Sequence, residues 1–326
     1  MKYADLTRYI HTKGFAVLML TLAFGGMLAA HGLHEYPALT GDAGFILPSA
    51  AEWVAPGWPN FVFALAGNCL LVLAAALTSR FFNVLRSQTA LPMALFAAFQ
   101  LATPGLSGQV YTGLLLAVVV AGCMMLLFSC YRSAVRTRRI FLVFLALSAC
   151  SATQYCFLVY IPIFLLGCGQ MRIFNGRTIT AAILGLITPW WIMAAFGLVS
   201  LEQLHMPELV NIFSRLTSTT AGLLLITVGL TSLLTVGSFV MNVMKTIAYN
   251  ARARAYSGAI ATVSLATLAG MVVDYQTIIL YIPLLNYCAA FEVAGYFSSH
   301  RGERTGLGPL IIVASYIILF LCQILF

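Results

Sequence analysis

An all-α, polytopic membrane bundle of about eleven transmembrane helices is the fold the sequence predicts, and three observations predict it. Of 326 residues, 61% are hydrophobic and only 8% are charged, with a mean hydropathy of +0.97. Soluble domains carry roughly 25% charged residues because their surface faces water, so most of this chain's outer surface must face lipid. Apolar runs recur at about the 20-residue length that crosses a bilayer. Finally, 16 of the 17 Lys and Arg residues sit in short segments after alternate runs, the pattern of loops kept on the cytoplasmic side.

The predicted spans are about 14–32, 60–79, 90–104, 109–130, 140–154, 156–171, 178–199, 218–243, 257–273, 276–298 and 307–325. With the amino terminus inside and the carboxyl terminus outside, the inner segments hold three basic residues before or at the first span (Lys2, Arg8, Lys13). They then hold Arg80 and Arg86, the group Arg132, Arg136, Arg138 and Arg139, the pair Arg172 and Arg177, the group Lys245, Arg252 and Arg254, and finally Arg301 and Arg304. The outer segments hold only Arg215, together with Glu35, Asp42, Glu52, Glu202, Glu208 and Asp274. Adding or removing one span would put basic loops on the wrong side. The first apolar run is read as an uncleaved span, although Ala29-Ala30-His31 has the small-residue look of a cleavage site.

Three spans, 90–104, 140–154 and 156–171, are short. About 15 residues cover roughly 22 Å, less than the hydrocarbon thickness of about 30 Å. Arginines pin their inner ends, so the outer turns near Pro104-Gly105, Thr153-Gln154 and Asp274-Tyr275 are expected below the outer interface. Irregular backbone at that depth needs protein or a water-filled cavity around it, and an outward-facing recess is the expectation. Two outer segments are placed to roof it. The first, 33–59, contains Pro48–Val54, read as a short interfacial helix with a Ser49 cap; the second, 200–217, has an amphipathic pattern.

Composition also excludes function classes. The +8 formal charge is scattered through loops, with no basic face and no nucleic-acid-binding motif. The eight cysteines lie in or beside apolar runs without a CxxC pair, which fits packing between helices better than a disulfide or zinc framework. No P-loop, dinucleotide fingerprint, HExxH or credible GxSxG is present, so no cofactor is expected.

What remains is a short set of polar candidates. Gln154 and Tyr155 lie at one outer turn and Asp274 at another, where amide, phenol and carboxylate groups suit sugar hydroxyls or simple turn chemistry. His31, His34 and Glu35 follow the first span, and His205 lies in the second roof segment. Two histidines three apart beside one acid are a weak metal signature, and no metal is expected. Arg215 is placed to grip a phosphate or to pair with Glu208. Glu292 lies inside the span 276–298 with Cys288 and Tyr296 on its helix face. An ionisable residue there is a functional candidate by default, either coupling protons to transport or held by Tyr296 or a neighbouring arginine. Asn68, Gln100 and Asn286 read as interhelical hydrogen-bonding residues; Pro162, Pro189 and Pro283 fall inside spans, and Pro189 is expected to kink the seventh with Trp190 and Trp191 beside it.

The cytoplasmic amino terminus, the outer loop after span one with Glu35 and Asp42, the tight turn Gly105–Gly108 and the short pair after Arg138-Arg139 together resemble the membrane module of GT-C-class glycosyltransferases. Those enzymes use polyprenyl-phosphate sugars. The resemblance is one of topology and covers about residues 1–200. The adjacent acidic pair usual in that loop is absent, since Glu35 stands between His34 and Tyr36. The run from Arg138 to Trp191 is also similar to uncharacterised multi-pass proteins of Bacteroidota.

The resemblance implies one integral domain, 1–326, in a bacterial inner membrane, with a GT-C-like module followed by carboxy-terminal helices. It would bind a lipid-linked phosphosugar for cell-envelope assembly. Glu35 or Asp42 would then be the catalytic base and Arg215 would hold phosphate. Asp274, Gln154, Tyr155, His34 and His205 would line the substrate. The alternatives are a non-catalytic subunit packed against a membrane protein partner and a proton-coupled transporter centred on Glu292.

Overall fold

The computed structural model describes residues 9–34, 46–85, 89–131, 133, 136–197, 218–246, 250–299 and 307–325. Among them the ordered structure is helical, without strands. Eleven helices of ten or more residues follow in order: α1 (Lys13–Leu33), α2 (Trp58–Leu77), α3 (Leu91–Leu101), α4 (Thr112–Ser129), α5 (Arg136–Ser151), α6 (Cys156–Gln170), α7 (Gly176–Ala195), α8 (Ser218–Thr246), α9 (Ala251–Val273), α10 (Ile282–Ser299) and α11 (Leu307–Leu325). Eight stretches are long and apolar enough to cross a membrane, which makes this a multi-pass membrane architecture. The other three helices, α3, α5 and α6, are the three expected to be short.

Local chemistry accounts for several boundaries. The Thr12 hydroxyl accepts from the Phe15 amide and opens α1. The Asn175 amide donates to the Thr178 hydroxyl at 2.9 Å at the start of α7. The span expected over 276–298 is not one helix. Residues Tyr275–Tyr281 form a tighter 3-10 stretch with Thr277 off helical geometry, and α10 starts after it. Pro283 therefore falls in the first turn of α10, where its missing N–H costs nothing, rather than in the interior of a helix.

The stretch over Tyr275–Ser298 is the central pillar: 89% of its most apolar window is buried, against 22% for α11 and 28% for α1. Helices α3, α4, α8 and α9 pack around it. Helix α3 is apolar on every side and buried along its length, as a helix without a polar face must be. Its 11 residues span roughly 16 Å, and the turn Pro104–Ser107 closes its end.

Here the structure departs from the expected recess. The turns at Thr103–Ser107 and Thr153–Gln154 are buried in protein rather than set beside a hollow, whereas Tyr275 at the third turn is 64% exposed. The Ile46 and Leu47 amides both donate to the Ala152 carbonyl, at 2.9 and 3.0 Å. The Ser49 and Thr112 hydroxyls lie 3.5 Å apart, and a short 3-10 turn, Ala50–Glu52, follows the Ser49 cap. The described part of that loop, from Ile46 on, is seated beside the Thr153–Gln154 turn and the start of α4. The short helices need no hollow because longer neighbours cover them.

Candidate functional site

Three polar groupings interrupt the apolar interior. The first is an amide ladder across the core. Asn68 of α2 donates to the Ser107 carbonyl (2.9 Å), Gln100 of α3 donates to Asn68 Oδ1 (2.9 Å), and Asn286 of α10 donates to Gln100 Oε1 (3.2 Å). All three amides are buried. They are the three side chains the sequence marked for interhelical bonding, and their bonds to one another tie α2, α3 and α10 together. Buried tyrosines do the same elsewhere: Tyr160 meets Thr267 at 3.1 Å and Tyr316 meets Thr231 at 2.6 Å.

The second grouping lies at the end of the bundle opposite the arginine-bearing loops. Tyr155 donates to Asp274 Oδ2 at 2.5 Å, with the Thr277 hydroxyl 3.5 Å from the phenol oxygen. Burial, and then the hydrogen bond to Asp274, hold the Tyr155 phenol above its ordinary value, so it remains a donor near neutral pH. Asp274 Oδ1 is buried without a hydrogen bond. Gln154 is buried in the same turn. Of the residues expected to meet around a substrate, Asp274, Tyr155 and Gln154 therefore do come together. His34 instead places Nε2 2.9 Å from the Ile324 carbonyl, tying the end of α1 to α11. His31 stacks on Phe61 with ring centroids 4.6 Å apart. Glu35, Asp42, His205 and Arg215 lie outside the described residues. No metal-binding group of His, Cys, Asp and Glu is found among the described residues.

The third grouping surrounds Glu292, near the arginine-bearing end. Its side chain is 4% exposed. The Asn242 amide of α8 donates both to Glu292 Oε2 and to the Glu292 backbone carbonyl, each at 2.9 Å. Among the described residues the partner is thus Asn242, not an arginine or Tyr296, whose ring meets Phe297 edge-on. Gly295, one turn short of the helix end, permits this approach: a Cβ there would lie 3.2 Å from Asn242 Nδ2. Beside the pair is a cavity of about 400 Å³. Helix α9 supplies one wall through Arg254, Ser257, Ala261 and Leu265; α8 supplies Phe239 and Val243, and α6 supplies Gln170. Glu292 itself lines that space, and with Val84, Leu85 and Phe291 it also lines a smaller one beside it. The Gln170 amide donates to the Thr262 hydroxyl at 2.7 Å, fixing α6 against α9.

Sequence reasoning found Glu292 but not Asn242, which lies at the edge of the predicted span 218–243. An amide two residues inside the end of an apolar run was the available signal. Arg254 read only as loop charge. Trp190 and Trp191, marked beside Pro189, line a separate apolar groove of about 460 Å³ with Ser148, Leu158 and Ile161.

Comparison with protein-family models, with curated proteins and with solved structures finds no match to this chain.

Proposed function

We propose that this chain is a proton-coupled carrier whose working group is Glu292, sited in a bacterial cytoplasmic membrane with the arginine-bearing loops on the cytoplasmic side. The observation that carries the reading is the carboxylate itself. It sits inside a membrane-crossing stretch, its Oε2 is held by Asn242, and its side chain lines a cavity wide enough for a small molecule. A carboxylate in such a position is expensive to keep and marks an ion or proton pathway. Bound cargo and bound proton would compete for, or share, that one carboxylate.

The test uses purified protein in proteoliposomes enclosing a pH-sensitive dye. A size-filtered extract of small cell metabolites and solubilised lipids is added outside. Wild type is expected to move protons in response, Glu292→Asp to retain part of that movement, and Glu292→Gln to lose it. Equal proton movement by Glu292→Gln and wild type would remove this reading.

A second reading keeps the glycan-assembly role, and one observation favours it. The stretch after Asp42 is seated on the Ala152 carbonyl, three residues from Tyr155 and its partner Asp274. Glu35 and Asp42 precede that seat in the chain, so a lipid-linked phosphosugar bound at this end would have an acid near it. Glu35→Gln together with Asp42→Asn should then abolish glycosyl transfer in membranes supplied with polyprenyl-phosphate sugar. Unchanged glycan profiles in that double variant would end the enzymatic version.

A further inference from the structure

The Glu292 cavity is graded along its length. Arg254, Ser257, Ala261 and Leu265 follow one face of α9 over three turns, roughly 16 Å from the first to the last. The charged groups and Ser257 and Asn242 gather toward the arginine-bearing end, while Phe239, Ala261 and Leu265 line the far part, where the one hydroxyl, Thr262, is taken up by Gln170. The cavity also opens sideways. Helices α8 and α9 each pack on α10 but touch one another little, and the wall residues Val243 and Leu265 are 48% and 44% exposed. A wholly water-soluble solute would leave its polar groups unpaired against the apolar part. A chain-bearing molecule matches both parts when its head points to the arginine-bearing end.

The head chemistry follows from the two charges. A guanidinium at the rim matches a phosphate. The Glu292 carboxylate in the cavity wall matches a hydrogen-bond donor, and best a cationic one. An anionic head without nitrogen would set a phosphate near an unanswered carboxylate. A quaternary ammonium has no N–H to donate.

We propose that the cleft between α8 and α9 takes a phospholipid with a primary-ammonium head, its phosphate on Arg254, its ammonium on Glu292 and a chain along Phe239 and Leu265. This rests on the reading of Glu292 as the working group and names the cargo.

The test is native mass spectrometry of the full-length protein with equimolar phosphatidylethanolamine, phosphatidylcholine and phosphatidylglycerol of identical chains. Wild type is expected to retain phosphatidylethanolamine over phosphatidylcholine by roughly tenfold, the size of a hydrogen bond to a charged group. Glu292→Gln should level the two, and Arg254→Gln should lower retention of all three. Ala261→Phe, which fills the apolar length without altering charge, should likewise lower all three and stands in if Glu292→Gln does not fold. Equal retention of the two zwitterionic lipids by wild type would overturn the proposal. So would displacement of bound lipid by an equal concentration of glycerophosphoethanolamine, which would make the chainless head the ligand. Lipid indifference with proton movement still dependent on Glu292 would remove the cargo assignment alone, whereas proton movement independent of Glu292 would remove the reading beneath it.

Discussion

Gly185→Ala is expected to destabilise the protein by about 1–3 kcal/mol, the usual cost of forcing extra volume into a filled core. A Cβ at this position would lie 2.6 Å from the Phe141 carbonyl oxygen and 3.1 Å from the Leu145 amide nitrogen. Both are backbone atoms of α5, so no rotamer change relieves the contact. The α5–α7 pair is the most extensively packed in the bundle, and the Ser148 hydroxyl donates to the Leu186 carbonyl across it at 2.6 Å. Separating the helices by a few tenths of an ångström would loosen this whole seam. The opposing effect is smaller: alanine is better than glycine inside a helix by about 0.5–1 kcal/mol. The clash should therefore win. Cys123, Cys130, Cys156, Cys168 and Cys288 are buried free thiols, so a thiol-reactive dye reports thermal unfolding directly. The midpoint should fall by several degrees for Gly185→Ala. Gly122→Ala, where a Cβ meets nothing within 4 Å, should leave it level or raise it. Parallel shifts in the two variants would contradict this account of the seam.

Gly185 also shows what the sequence could and could not convey. Its run was read for the proline four residues later, because Pro189 acts on its own helix. A glycine that admits a neighbouring backbone acts only through the partner, and nothing in Leu184-Gly185-Leu186 names that partner. The same division runs through the interior. Asn68, Gln100, Asn286 and Glu292 stood out because polar groups are costly in apolar runs wherever they end up. Which of them would meet was not legible. Asn286 finds Gln100 on α3, whereas Glu292, only six residues on, finds Asn242 on α8. Helix length was legible too, since α3, α5 and α6 are short as expected. The inferred hollow was not. Shortness fixes where a helix ends, but tertiary packing decides whether water or protein fills the space beyond it. At α3 protein fills it, and the cavity that is present lies toward the opposite end, where α8 and α9 diverge from a short connection. That divergence depends on how two helices seat on a third, a relation with no local trace in the chain.

The amide ladder supplies the other large expected effect. Gln100→Leu keeps the side-chain bulk of α3 but removes the donor to Asn68 Oδ1 and the acceptor of Asn286 Nδ2. Each buried polar group left unpaired costs about 1–3 kcal/mol against water. In a bilayer the unfolded reference also finds partners, and interhelical hydrogen bonds average nearer 0.6 kcal/mol. A loss of about 1–3 kcal/mol in total is expected, read by the same thiol assay. The sign of a second substitution then tests whether the residues act as a unit. Asn286→Leu alone should also destabilise, by orphaning Gln100 Oε1. Combined with Gln100→Leu, it removes a donor that would otherwise be stranded, so the double variant should lose less than the sum of the singles. Asn68 retains its donations to the Ala64 and Ser107 carbonyls throughout, so on α2 only the acceptor Asn68 Oδ1 loses its partner. Coupled residues in one hydrogen-bond network depart from additivity by 0.5 kcal/mol or more, and independent ones do not. If the two losses simply add, the three amides are separate local features, and α2, α3 and α10 are held by apolar packing alone.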